Sequence, residues 1–233
     1  MERYVCKDPS SVRQAIGEVL PLAIAAAISP FPIIGVVLML VTPRARINGT
    51  MFVVGWLTGL AVVGAIGLTV TSAAGASDNG ATSTRASVLQ IGLGALLVIL
   101  AFRQWRKRPK PGEEPAMPKW MNAVDDFSPR QATTLGVVLS AVNPKNLILT
   151  LAAATTIAAT DLPGTDQVIA FVVYACIATL GVGTPIVISF TMGDRSKAIL
   201  DGLKTWLAHN NAAIMAVIFL VIGAKVLGQG IAG

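Results

Sequence analysis

Long stretches without charge limit the possible folds of this chain more than any other feature. Residues 19–41 form a run of 23 residues that contains no Asp, Glu, Lys, Arg or His. About 20 apolar residues in a helix cross the hydrocarbon core of a bilayer, so this run predicts a transmembrane helix. Its continuation to Val41 favours a retained span over a cleaved signal peptide, whose apolar part is shorter.

Five further apolar runs follow the first, which predicts an all-α integral membrane protein with six transmembrane helices. They cover residues 49–71, 87–102, 132–159, 167–190 and 211–227. Only 13% of the residues are charged, against about 25% in ordinary soluble domains. A soluble protein of 233 residues could not bury so much apolar surface, because most of its residues lie near the surface.

Two of the six runs are interrupted in the same way. The first contains Ser29-Pro30-Phe31-Pro32, and the fourth contains Asn143-Pro144-Lys145-Asn146. Proline has no backbone N–H and clashes with the preceding turn, so each interruption breaks or kinks its helix. Each break lies in the first span of a half that contains three spans. Because three is an odd number of membrane crossings, the two halves must have opposite orientations in the membrane. We therefore predict two inverted three-helix repeats with broken first helices, a plan common among transporters.

The same pattern sets the predicted boundaries within the chain. We expect an N-terminal tail at residues 1–18, a first repeat at 19–102, a cytoplasmic linker at 103–131 and a second repeat at 132–233. The linker contains an apolar stripe at helical spacing, formed by Met117, Trp120, Met121, Val124 and Phe127. Such a stripe predicts a helix that lies in the membrane interface.

The distribution of basic residues predicts the orientation. Loops 1, 3 and 5 carry twelve Lys and Arg residues, while the opposite side carries five. Because Lys and Arg are enriched in cytoplasmic loops, these three loops are expected in the cytoplasm, with both termini outside the plasma (inner) membrane. The three basic residues of the N-terminal tail locally favour the reverse. The basic residues of the cytoplasmic loops also account for the net charge of +6. We therefore expect no nucleic-acid partner.

Lys145 is the main candidate for a binding residue. A lysine within a long apolar run is costly in a bilayer and marks a functional site by default, unless it extends to the headgroups. Asn143 and Asn146 flank it with hydrogen-bonding amides, and Ser29 takes the place of Asn143 in the first repeat. Broken helices also expose N-terminal N–H groups, which attract anions. Thr184 in the fifth span is a weaker candidate for the same cavity.

Missing residue types exclude several functions. No Asp or Glu falls inside a predicted span, and His209, the only histidine, falls in the last cytoplasmic loop. A carboxylate proton relay and cation transport are therefore disfavoured. There is no metal-ligand spacing, phosphate-binding glycine loop, acid–base pair or nucleophile motif, so we expect no enzyme, metal or cofactor.

The interrupted segments, together with Asp125-Asp126-Phe127-Ser128-Pro129-Arg130 before the fourth span, resemble the GAP family of actinobacterial membrane proteins. That family includes the sulfolipid-addressing and glycopeptidolipid-addressing proteins and is similar to the lysine exporter (LysE) superfamily. The resemblance extends from residue 19 to residue 227. It implies a six-span inner-membrane protein that helps to deliver cell-envelope glycolipids to the surface. The site residues it implies are Ser29, Pro30, Pro32, Asn143, Pro144, Lys145 and Asn146.

Residues and resemblance together predict a transporter, or transport accessory, that exports an anionic (glyco)lipid or lipid-linked envelope component. A small-solute exporter of the amino-acid type is one alternative, and a non-transporting scaffold for lipid biosynthesis is another. The expected partners are membrane lipids, an anionic lipid or small anionic substrate, and lipid-synthesis or export proteins. Small-residue faces are also compatible with a homodimer, although helix packing within one chain explains the pair Gly55 and Gly59.

Overall fold

A computed structural model of the protein describes residues 9–75, 82–109, 113, 121, 126–160, 162–193 and 195–232. Almost all of these residues lie in helices, with no β-strand among them. The first eight residues and most of the predicted interfacial helix around Trp120 lie outside the described residues. That part of the predicted linker therefore stays a prediction.

The described part of the chain contains eight α-helices and one π-helical turn. The helices are α1 (Pro9–Ala27), α2 (Pro30–Leu40), α3 (Ala45–Gly75), α4 (Thr82–Arg106), α5 (Pro129–Val137), α6 (Pro144–Ala158), α7 (Gly164–Met192) and α8 (Arg195–Ala232). The π-helical turn, Val138–Val142, lies between α5 and α6.

Both breaks that the prolines predict are present. The chain bends by 50° between α1 and α2, and by 62° between the α5 segment and α6. Pro30 and Pro144 are the first residues of α2 and α6, where a missing N–H costs nothing because that position has no helical acceptor. Ser29 and Asn143 precede them with extended backbone, at ψ 100° and ψ 118°, as a residue before proline prefers.

Three helices are long and apolar enough to cross a membrane, namely α3, α7 and α8. Counting each bent pair as one span raises the number among the described residues to five. The predicted third span, residues 87–102, lies within α4 (Thr82–Arg106), which is not among these candidates. The structure thus supports a helical membrane protein.

Three boundaries differ from those expected. Helix α1 starts at Pro9, within the predicted tail 1–18, because Ala15 and Val19 are packed in the core at 0% and 1% exposure. The fifth span, predicted at residues 167–190, lies in the longer helix α7, which continues through Pro185. Helix α8 is also continuous, and it includes residues that the sequence places in a loop before the sixth span.

Close helix contacts hold the two broken segments at the centre of the bundle. Helix α3 packs on α5 and α6, α1 packs on α7 and α6, and α4 packs on α8. A Cβ atom at Gly181 of α7 would lie on the carbonyl oxygen of Ala27, and one at Gly136 would lie 2.8 Å from the backbone nitrogen of Trp56. Only glycine permits these backbones to approach so closely.

The outside of the bundle carries many exposed apolar side chains. Those more than half exposed include Val62, Ile66, Val70, Leu180, Val187 and Val221. Soluble monomers rarely expose so much apolar surface, and where they do it marks a contact with another protein or with a membrane. It is the surface expected of helices that contact lipid, in agreement with the long apolar runs.

Candidate functional site

The first break leaves a backbone carbonyl without its helical donor. In an uninterrupted helix, the carbonyl of Ile28 would accept from residue 32, but Pro32 has no N–H. The Lys145 Nζ donates to this oxygen instead, at 2.8 Å. A lysine of the second half thus satisfies a carbonyl that a proline frees in the first half.

The second break has the same problem and a similar solution. Asn143 donates its N–H to the Val138 oxygen, five residues earlier, and the following residue is Pro144. The carbonyl of Leu139 therefore lacks a backbone donor, and Asn146 Nδ2 donates to it at 2.8 Å. Two neighbouring side chains of α6 therefore serve the two breaks: Lys145 donates to the Ile28 carbonyl and Asn146 donates to the Leu139 carbonyl.

A buried chain of hydrogen bonds connects the two breaks. Lys145 Nζ also donates to Ser29 Oγ at 3.0 Å, and Ser29 Oγ donates to Asn146 Oδ1 at 2.9 Å. Ser29, Lys145 and Asn146 are 2%, 5% and 0% exposed. Because these bonds join residues 116 and 117 positions apart, they fix the halves of the chain to each other at their breaks.

The charge of Lys145 has no anionic partner here. Across the described ranges, no carboxylate forms an ion pair with its ammonium group, whose protein partners are one carbonyl and one hydroxyl. An ammonium group has three N–H donors, so one remains for a ligand or water. A buried cation without a counter-ion is costly, and this arrangement therefore favours a bound anion.

A cavity of about 360 Å³ lies beside this group. It is lined by residues 29–32, Val138, Leu139, residues 142–145 and Met215. Helices α2 and α6 both begin at its wall, so two partially positive helix N-termini face the same space. Val138 and Val142 are 41% and 63% exposed, which gives the cavity a polar inner end and an apolar rim at the outer surface of the bundle.

The structure brings together seven of the eight residues predicted for the site. Six line the cavity, namely Ser29, Pro30, Pro32, Asn143, Pro144 and Lys145. The seventh, Asn146, does not line it but accepts a hydrogen bond from Ser29. Thr184 is not among them. It lies on an exposed face of α7, and its hydroxyl donates to the Leu180 carbonyl of its own helix at 2.7 Å, so the structure assigns it no part in the cavity.

Several site atoms were missed at the sequence level. The carbonyl of Ile28 could have been found from its spacing, because it lies four residues before Pro32. The carbonyl of Leu139 could not, because it loses its donor only where the π-helical turn shifts the pairing by one residue. Phe31 and Val142 adjoin the motifs, whereas Met215 comes from α8 and has no local signal. The described residues contain no group of three His, Cys, Asp or Glu side chains that could hold a metal ion.

Comparison with known families agrees with this geometry. The model of SfLAP, described as Sap, sulfolipid-1-addressing protein, matches residues 19–232. The chain belongs to this family. The match includes both breaks and all the residues that line the cavity, and it confirms the resemblance drawn from the two motifs. No curated protein and no solved structure was found to match the chain significantly.

Proposed function

We propose that this protein is a transporter, or transport accessory, for an anionic (glyco)lipid of the cell envelope and that Lys145 binds the lipid headgroup. The observation that carries the proposal is the buried ammonium group of Lys145, which lines a cavity between two helix N-termini without a carboxylate partner among the described residues. A sulfate, phosphate or carboxylate would supply the missing charge. The family name, sulfolipid-1-addressing protein, supports a lipid as the source of that anion.

The shape of the cavity favours a lipid. Its polar inner end suits a headgroup, while the exposed Val138 and Val142 at the rim allow acyl chains to remain in the bilayer. A volume of about 360 Å³ is within the usual range for small-molecule sites, about 300–1,000 Å³. The cavity size therefore also supports the second candidate, export of a small anionic solute.

Helix contacts support an inverted repeat with six spans, α4 being the third. In this comparison α1, α2 and α3 correspond to α5, α6 and α7. Helix α3 packs on both parts of the broken span of the other half, α5 and α6, and α7 likewise packs on α1 and α2. The third helices of the halves, α4 and α8, pack on each other. Exchanging the halves preserves these contacts, as expected of an inverted repeat, whereas the contacts of α2 with α8 and of α1 with α6 have no counterpart of similar extent. We further propose that loops 1, 3 and 5 are cytoplasmic, in a plasma membrane, because they carry most of the basic residues.

The mechanism we propose uses the bonds between the breaks as a latch. The Lys145 bonds to Ile28 and Ser29 hold the two halves in one arrangement. An arriving anion competes with these neutral acceptors for the ammonium group, and charge-assisted bonds are the stronger ones. Binding would thereby loosen the contact between halves while the headgroup takes its place, and the repeats could then rock around the site.

Translocation in proteoliposomes tests the function. Fluorescent phosphatidylglycerol is anionic and phosphatidylcholine is zwitterionic, and their flip rates are compared for wild type, Lys145→Met and Lys145→Arg. Lys225→Met is a matched control, because Lys225 Nζ also donates to a carbonyl of α1, that of Glu18, at 3.1 Å.

We expect the wild type, Lys145→Arg and the control to move the anionic lipid faster than the zwitterionic one, and Lys145→Met to lose this preference. Binding of the anionic lipid by wild type without translocation would identify an accessory. Equal behaviour of Lys145→Met and wild type in both binding and translocation would contradict the proposal. Efflux of small anionic solutes would then be measured.

A further inference from the structure

A second concave site lies between α4 and α8 and shares no lining residue with the Lys145 cavity. Its volume is about 320 Å³, and its lining is almost wholly apolar. The lining residues are Ala101, Phe102, Trp105, Ala216, Val217 and Leu220. We call this site the α4–α8 groove.

Side-chain size explains why the groove forms there. The two helices touch at Gly94, where a Cβ would lie 2.7 Å from the backbone nitrogen of Leu227 and 3.0 Å from the Gly223 oxygen. Away from this crossing, Ala101 and Ala216 keep the floor low, since both are small and only 4% exposed. The large Phe102 and Trp105 stand beside them at 66% and 45% exposure and form a wall.

Positive charge lies at one end of the groove. The Arg108 guanidinium lies over the Trp105 ring, 3.4 Å from its centroid, and Arg108 Nε donates to the Trp105 carbonyl at 3.0 Å. Arg103, Arg106 and Lys107 are exposed at the same helix end. Within the described ranges, none of these four cations forms an ion pair with a carboxylate.

We propose that the α4–α8 groove binds an anionic phospholipid of the bilayer, with one acyl chain along the alanine floor and the phosphate on Arg108. Tryptophan is typical of the membrane interface, so Trp105 places Arg108 at headgroup depth and the apolar lining at acyl depth. Basic groups between transmembrane helices bind anionic headgroups in this way. The proposal does not depend on the transport function.

A second copy of the chain fits the groove less well. In a two-fold dimer with its axis along the membrane normal, the same patch faces itself. The Arg103, Arg106, Lys107 and Arg108 clusters of both copies would then meet at the same membrane depth. Like charges so placed repel each other, whereas an anionic lipid neutralises them.

Thermal unfolding in detergent, titrated with lipid, tests the proposal, because a ligand that binds only the folded state raises the unfolding temperature. The probes are dioleoyl phosphatidylglycerol and dioleoyl phosphatidylcholine. All titrations are made in wild type and in Lys145→Met, so that lipid binding in the α4–α8 groove can be distinguished from lipid binding in the Lys145 cavity. The variants are Arg108→Gln, which removes the charge, and Ala216→Leu, which fills the floor. Arg130→Gln changes an exposed arginine at the start of α5 and is the control.

We expect phosphatidylglycerol to stabilise the protein at lower concentration than phosphatidylcholine in both backgrounds. Arg108→Gln should raise the concentration needed about fivefold, the equivalent of about 1 kcal/mol for one basic group near a membrane surface. Ala216→Leu should weaken stabilisation by both lipids, and Arg130→Gln should change neither. Arg108 is on the surface, so its variant remains informative even if Ala216→Leu unfolds.

Three results would overturn the proposal. One is an equal response to both lipids that Arg108→Gln leaves unchanged. The other is a stable dimer, seen by cross-linking in detergent, that Ala216→Leu dissociates, because a second copy would then occupy the groove. Loss of the phosphatidylglycerol preference in Lys145→Met with Arg108 intact also contradicts it, since the preference would then come from the cavity.

Discussion

The tight contact of α7 with α1 gives a sharp prediction about the residues next to the first break. Gly181→Ala places a methyl group on the Ala27 carbonyl, 2.8 Å from its carbon, whereas ordinary contacts begin near 3.4 Å. Gly183→Ala, two residues further along the same helix, meets nothing within 4 Å. The two substitutions are chemically identical and differ only in what the new methyl group contacts.

The expected magnitude follows from this difference. Replacing glycine by alanine inside a helix is favourable by up to about 1 kcal/mol, and this gain is common to both variants. Overpacking a tight contact costs about 1–3 kcal/mol, and only Gly181→Ala incurs it. The free energy of unfolding of Gly181→Ala should therefore be about 1–3 kcal/mol lower than that of Gly183→Ala.

Unfolding by dodecyl sulfate, followed by circular dichroism in mixed micelles, measures this difference. Because Ala27 directly precedes Ile28, whose carbonyl accepts from Lys145, displacement of α1 should also change the affinity for anionic lipid in Gly181→Ala and leave it unchanged in Gly183→Ala. Free energies of unfolding within about 0.5 kcal/mol of each other would refute the reasoning about helix contact.

Three further substitutions test individual hydrogen bonds by the same unfolding measurement. Ser29→Ala removes both an acceptor of Lys145 and a donor to Asn146, and should cost about 1–3 kcal/mol because buried polar groups lose partners; an unchanged free energy would show that the buried chain of bonds is dispensable. Tyr174→Phe removes the bond to Thr150, 3.0 Å long between buried side chains, and should cost about 0.5–1.5 kcal/mol without changing lipid selectivity. Thr184→Val should change neither stability beyond about 0.5 kcal/mol nor lipid binding, and a loss of binding would return Thr184 to the site.

The two breaks could be predicted because proline chemistry is local. Pro30 and Pro144 interrupt apolar runs, and no neighbouring residue can restore the missing N–H. The sequence also indicated that Lys145 faces the protein interior, because exposing a lysine to the hydrocarbon core of the bilayer is costly. Both expectations agree with the geometry of the breaks and with the burial of Lys145 at 5% exposure.

The pairing of these groups could not be predicted, because it depends on contacts between distant segments. The bond from Ser29 to Asn146 spans 117 positions, and Met215 reaches the cavity from α8. Thr184 was expected at the same cavity, and the structure places it on an exposed face of α7 for a related reason. A hydroxyl in a helix can always bond to the carbonyl one turn earlier, and only tertiary packing decides which face of α7 is turned inward.

The start of α1 at Pro9 could not be predicted from the sequence either. Residues 9–18 include charged and polar side chains and look like a tail, yet Ala15 is fully buried. Polar residues such as Gln14 and Glu18 occupy the exposed face, with a bond of 3.3 Å between them. A stripe of a few small residues is enough to bury one face of a helix, but it gives only a weak periodic signal.

The central claim is that Lys145 holds the headgroup of an anionic lipid. Native mass spectrometry on gently purified protein tests it most directly, by comparing the lipids retained by wild type, Lys145→Met and the Lys225→Met control. We predict that wild type and the control retain an anionic glycolipid or phospholipid molecule that Lys145→Met loses, in addition to any lipid held in the α4–α8 groove, while all three fold equally by circular dichroism. Retention of the same lipids in the same amounts by all three proteins would contradict the claim.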